Sequence, residues 1–151
     1  MTDVGVISDT HGLLRPEAVA ALTGSDLIVH AGDIGSPEIL DALREIAPLI
    51  AVRGNVDKWA GDLPATELFE IDGRTVYLLH DVKELDLDPH GAGIEIVIAG
   101  HSHEPGIAWR EGVLFLNPGS AGPRRFSLPI ALARMIIDAD GVDAHIITLD
   151  R

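Results

Sequence analysis

Cysteine is absent from this 151-residue chain. Its absence excludes disulfide staples and thiolate metal sites, so any metal must be held by His, Asp, Asn or backbone oxygens. Aromatic residues make up only 4% of the sequence, and 11 Lys and Arg stand against 24 Asp and Glu. The resulting net charge of −13 repels polyanions and acidic lipid. No basic stripe or aromatic platform offers itself to a nucleic acid. No apolar run approaches the length of a membrane span, and the opening MTDVGVISD reads as a strand rather than a basic leader. The expectation is a cytoplasmic protein that binds neither nucleic acid nor membrane.

Hydrophobic residues reach 46% and charged ones 23%, enough for one domain over 1–151 with a real core. No internal repeat or Pro/Ser-rich linker divides the chain. The first half alternates strands with helices: DVGVISD, a helix from Pro16, LIVHAGD, a helix from Pro37 capped by Ser36, then LIAVRGN. That alternation implies a mainly parallel sheet. Beyond Asp57 the pattern becomes hairpins, turning at Asp72-Gly73, Glu111-Gly112 and Asp140-Gly141, with a further strand IEIVIAG between the first two. VKELDLDPHGAG reads as a short helix or loop. The whole implies an α/β fold, a two-sheet mixed β-sandwich flanked by helices.

The polar residues fall where strands end. Asp9 and His11 follow the first strand, Asp33 the second, Asn55 the third, His80 the fifth, and His101 and His103 the next. Successive groups are 24, 22, 25 and 21 residues apart, counted from Asp9 through His101. Carboxyl ends of neighbouring strands in an α/β sheet line one crevice, so seven metal-ligand types converge on one edge. A single zinc takes about four protein ligands or fewer. Seven therefore point to two metals sharing a carboxylate, an arrangement that can hold a water and clamp a phosphoryl group. Gly12, Gly32, Gly54 and Gly100 stand beside the ligands, where a sharp exit from a strand needs positive φ or close backbone approach.

In order, SDTHG, GDIG, GNVD, a histidine after the fifth strand, GHSH and NPGS resemble the calcineurin-like metallophosphoesterase superfamily, and its small single-domain bacterial and archaeal phosphodiesterases in particular. The match runs from Asp9 to Ser120. The resemblance implies two divalent metals, manganese foremost with Fe, Co, Ni or Zn as alternatives. It places Asp9, His11 and His103 on one metal, Asn55, His80 and His101 on the other, and Asp33 between them. It further implies a phosphodiesterase that uses a metal-bridging hydroxide against the phosphorus of a small phosphoester, with Asp33, Asn55 and His101 at the catalytic centre. Two divalent ions, two aspartates and one hydroxide leave a positive site within an acidic protein.

Two departures stand out. Larger superfamily members carry a histidine after the asparagine, where this chain has Val56, which favours diesters or activated esters over alkyl monoesters. Asp81 replaces the glycine usual after the fifth-strand histidine, and its role is open. Arg53 and Arg124, the latter beside Arg125, are candidate substrate contacts, although solvated loops are the commoner home of such residues. His30 reads equally well as a residue orienting a ligand or as a buried, hydrogen-bonded histidine. Asp57 orients the neighbours of Asn55 or simply turns the chain. His90 and His145 carry no function on this reading, and Trp59 and Trp109 read as packing ahead of a substrate rim. The competing function is a non-catalytic binding scaffold like the retromer small subunit, which shares this fold. A nuclease is the weaker third, opposed by the charge. A homodimer is left open.

Overall fold

A computed structural model describes residues 1–149. The order is β1 (Thr2–Ile7), α1 (Pro16–Leu22), β2 (Leu27–His30), α2 (Pro37–Arg44), β3 (Leu49–Ala51), β4 (Thr66–Ile71) and β5 (Arg74–Leu79). A 3₁₀ turn (Val82–Glu84) then leads to β6 (Ile96–Ile98), β7 (Gly106–Arg110), β8 (Val113–Asn117), β9 (Ala131–Asp138) and β10 (Gly141–Thr148). The strands form two five-stranded sheets, β10-β9-β1-β2-β3 and β4-β5-β6-β8-β7. Parallel pairs run from the centre to one edge of the first sheet, β1 with β2 and β2 with β3, and occupy the middle of the second, β5 with β6 and β6 with β8.

The sheets face one another across a core of alternate residues. Val4, Val6 and Val29 of the first sheet pack against Val76, Leu78, Ile96, Ile98, Leu114 and Leu116 of the second. The intervening residues of β1 and β2, Ile7 and Ile28, face the other way onto Ala18, Leu22, Ile39, Leu40 and Leu43 of the helices. Both faces are covered, and this is why these strands read as continuous apolar runs. Burying each large aliphatic side chain stabilises the fold by about 1.5–3 kcal/mol.

Both helices lie against the first sheet; they connect its parallel strands, a crossover that needs a long connection. The outer face of the second sheet has no helix among the described residues. Leu85 and Ile94, from the segment between β5 and β6, cover Leu79, Val97 and Val113 instead. The sandwich is therefore flanked by helices on one side only. Ser36 does occupy the cap position of α2, but its side chain makes no capping hydrogen bond; Pro37 and the acidic Glu38 supply the favourable first turn. Among the described residues no helix is long and apolar enough to cross a membrane.

Candidate metal centre

The ends of β1, β2 and β3 meet the ends of β5 and β6 at one rim of the sandwich, so the candidate ligands arrive from both sheets rather than from one edge. Cross-sheet hydrogen bonds fix the meeting. The N–H of His101 donates to Asp9 Oδ2 at 3.1 Å, and His80 Nδ1 lies 2.7 Å from the Ala31 carbonyl. Asp9, His11 and His103 bring one ligand atom each within 4.8 Å of one another, and Asp33, His80 and His101 do the same. Asp33 also touches the other group: its Oδ2 is 3.2 Å from His80 Nε2 and 3.6 Å from His11 Nε2. Asn55 is exposed and shares a cavity wall with His80.

The backbone reaches this geometry in an unexpected way. Asp9, His11, Asp33, His101 and His103 all have left-handed φ, between 47° and 70°. Such conformations cost about 1 kcal/mol or more each and persist where the surroundings dictate them. The four glycines divide between the two expected uses. Gly12 and Gly32 take positive φ. Gly54 and Gly100 do not; they are needed for approach, because a Cβ would collide with the Asp33 carboxylate at Gly54, and with Ser8 Oγ and Asp9 Oδ2 at Gly100.

A second ring of residues holds the first in place. Ser8 Oγ donates to Asp9 Oδ2 at 2.7 Å, which leaves Oδ1 facing the histidines. Asp57 is fully buried and accepts the N–H groups of Ile34, Gly35 and Gly54, tying the Asp33 loop to the Asn55 loop. Asn117 donates to the Gly100 carbonyl and to Ser102 Oγ, bracing the loop of His101 and His103. Ser120 Oγ donates to the Asp9 carbonyl at 3.0 Å. These supports account for NPGS lying in the motif series. Asp57 alone of them carried a positioning role among its sequence-based readings; Asn117 and Ser120 lack a spacing signal because their partners are distant in sequence.

His30 is wholly buried. Its Nδ1 accepts from the Gly32 N–H, so Nε2 carries the proton and donates to Thr10 Oγ1, which donates to the Ile34 carbonyl. Burial pushes its pKa down to about 4, against the pull of Asp9 and Asp57. It is a buried, hydrogen-bonded residue that braces the Asp33 loop. Asp81 caps the 3₁₀ turn through the Lys83 N–H, and its other oxygen is 3.7 Å from His101 Nε2. Arg53 joins the cavity wall beside Asn55, while NH1 of Arg124 donates to the Leu128 carbonyl in its own loop, and Arg124 is not part of that wall. His90 and His145 are exposed. Trp59 and Trp109 are 41% and 57% exposed, so neither is fully absorbed in packing.

The electrostatics of the rim favour cations. Burial alone would raise the pKa of Asp33, yet the His80 hydrogen bond and charge, with the Val56 N–H, hold it at about 2. Asp9 is lowered too, burial being outweighed by His103, Ser8 and His80. For His11, burial prevails over Asp33 and Asp9 and lowers its pKa, whereas for His80 the Asp33 bond overcomes burial and raises it. His80 Nδ1 donates to Ala31, so in the neutral ring the Nε2 lone pair faces a carboxylate oxygen at 3.2 Å. Two acceptors that close require a proton or a cation between them. Asp9 Oδ1, His11 Nε2 and His103 Nδ1 are buried without hydrogen-bond partners, a cost that a bound cation at Asp9 and His11 would remove. Nitrogen and carboxylate donors of this kind fit divalent metals.

Residues 2–140 match the family model of the calcineurin-like phosphoesterase superfamily domain. The chain belongs to that superfamily. This phosphoesterase-family chain is 40% identical to a probable metallophosphoesterase of Methanothermobacter thermautotrophicus, over 95% of this chain and 91% of the relative. It is 26% identical to a phosphodiesterase of Methanocaldococcus jannaschii, over 77% and 82% of the two chains. Among solved structures, zinc-bound Vps29 of Entamoeba histolytica superposes with a TM-score of 0.75 at 24% identity, covering 98% of this chain and 99% of that one. That likeness is one of fold.

Proposed function

We propose that this metallophosphoesterase is a phosphodiesterase working with two divalent cations, manganese foremost, on a small phosphoester. The observation that carries the reading is Asp33 lying within 3.6 Å of imidazoles from both three-residue groups. The phosphodiesterase of M. jannaschii among its relatives supports the same reading. Asp9, His11 and His103 would hold one ion, and Asn55, His80 and His101 the other, with Asp33 common to both. When bound, the pair supplies Lewis acidity that lowers the pKa of water and neutralises phosphoryl charge. The protein's own part is orientation. Ser8 and the His101 N–H fix Asp9, the Val56 N–H fixes Asp33 Oδ1, and the Ala31 carbonyl fixes the His80 tautomer. Val56 offers no proton to a departing alcohol, which favours diesters and activated esters.

The test is hydrolysis of bis(p-nitrophenyl) phosphate by metal-stripped protein, with and without Mn²⁺. Turnover that requires metal and falls at least about 10³-fold in Asp33→Asn supports the proposal. Folded protein that binds metal without turnover supports the second reading, a binding scaffold, which the Vps29-like fold keeps in view.

A further inference from the structure

A cavity of about 450 Å³ lies beside the Asp33 group, and Asn55 and His80 form part of its wall. The His80 imidazole also stands 3.9 Å from the buried Asp9 Oδ1, which has no hydrogen-bond partner, so the cavity adjoins the candidate metal centre. The volume suits one small alcohol or head group. Its chemistry is set by β5 and the segment after that strand. Tyr77 and Leu79 contribute a half-apolar floor, and Asp81, Glu84 and Asp86 bring three carboxylates. Arg53 is the one arginine of the lining, and its Nη1 donates to the Leu63 carbonyl. Asp81 is engaged by the Lys83 N–H and lies 3.7 Å from His101 Nε2. Among the described residues, none holds the Glu84 or Asp86 carboxylate in a hydrogen bond or ion pair.

We infer that this cavity receives one of the two alcohols of the phosphodiester and selects an alcohol carrying a positive charge, such as an ammonium or trimethylammonium group. The inference rests on the phosphodiesterase reading above. Three carboxylates against one arginine give the cavity a negative potential, and an aromatic side chain, Tyr77, is part of the same lining. A second phosphate or carboxylate on the alcohol is repelled there, whereas the diester's own phosphate is drawn to the cation-binding rim. The site is thus polarised end to end, positive where phosphorus sits once metals are bound and negative where the alcohol sits. A zwitterionic diester matches that polarity. The reaction is simple hydrolysis: water adds to phosphorus, one P–O ester bond breaks, and the departing alcohol takes a proton.

The experiment compares p-nitrophenyl phosphocholine with p-nitrophenyl 3,3-dimethylbutyl phosphate, the isostere with a neutral carbon in place of the ammonium nitrogen, on the Mn²⁺-loaded protein. The expected kcat/KM ratio is at least about tenfold in favour of the choline ester, carried mainly by KM. The ratio should shrink with added salt and fall below about threefold in the Glu84→Gln, Asp86→Asn double variant. Both positions are exposed, so the fold should tolerate the change. Equal rates on the two esters, or a ratio that the double variant leaves intact, would overturn the inference. If neither ester is cleaved, the phosphodiesterase reading fails, and calorimetry decides the cavity separately. Phosphocholine should then bind the metal-loaded protein about tenfold more tightly than 3,3-dimethylbutyl phosphate, and equal affinities would refute the assignment.

Discussion

Asp9 of the first three-residue group is held by Ser120 of the packed segment 117–122, whereas His80 of the second group lines the cavity and the His101 side chain is 45% exposed. The first group is enclosed and contains the unpartnered buried atoms; the second has a solvent-facing member and the exposed Asn55 beside it. The difference teaches a division of labour. A buried cluster of acceptors that the protein itself leaves unpaired is costly unless filled, which would make it the tighter of the two proposed metal sites. An open group would exchange a bound ion more readily, which would suit the side where a substrate enters on the proposed reading.

The comparison breaks most visibly at Asp9. Asp9→Asn should weaken binding of the tighter equivalent of Mn²⁺ by about 10³-fold, since a structural metal site spreads its binding energy over a few ligands. His101→Gln should weaken only the looser equivalent, by a smaller factor. Isothermal titration of metal-stripped protein reads both; equal effects on one class of sites would erase the distinction.

Much of this asymmetry was not legible in the sequence. The strand ends, their spacing and the order of the candidate ligands were, because polar residues after apolar runs are local signals. The convergence of two sheets was not, since the contacts of His101 with Asp9 and of His80 with Ala31 span 92 and 49 residues. Nor did the glycines reveal that the ligands themselves would adopt left-handed φ. Asn117 and Ser120 look like ordinary turn residues until their partners, 17 and 111 residues away, are seen.

Asp57 supports the open group directly, through the loops of Asp33 and Asn55, and reaches the other group only through the Asp33 loop. Asp57→Ala would leave three buried or half-buried N–H groups without their acceptor and should cost about 3 kcal/mol of stability. Urea unfolding measures it. Metal affinity of the open group should fall with it while that of the enclosed group changes less, and a uniform loss would show that the two groups share one support.

His30 tests the same loop by pH. Its folded pKa, about 4, lies below the ordinary 6.5, so the unfolded chain takes up the proton first as pH falls. The stability it confers is complete above 6.5 and is lost as pH falls toward 4, about 2 kcal/mol between pH 7 and pH 5. His80, whose pKa is raised, acts in the opposite direction, so the informative quantity is the difference between the wild type and His30→Gln, both metal-free. Parallel pH profiles for the two would mean that His30 does not titrate as a buried neutral ring.

The smallest effect expected is a gain. Val56 is 48% exposed beside Asn55, and its N–H donates to Asp33 Oδ1 at 3.1 Å. Val56→His preserves that backbone donor and places an imidazole at the mouth of the open group, where the wild-type residue has no proton to give. General acid catalysis contributes about 10²–10⁴-fold when the acid is well oriented. An imidazole without evolved supports should deliver less, about tenfold on release of phosphate from glycerol 2-phosphate, with little change on bis(p-nitrophenyl) phosphate, whose leaving group needs no proton. The contrast between the two substrates matters more than either rate. An equal rise on both would assign the gain to phosphate binding rather than proton transfer. No rise on either would mean that the open group receives its proton from elsewhere and that valine at this position does not set the preference for diesters.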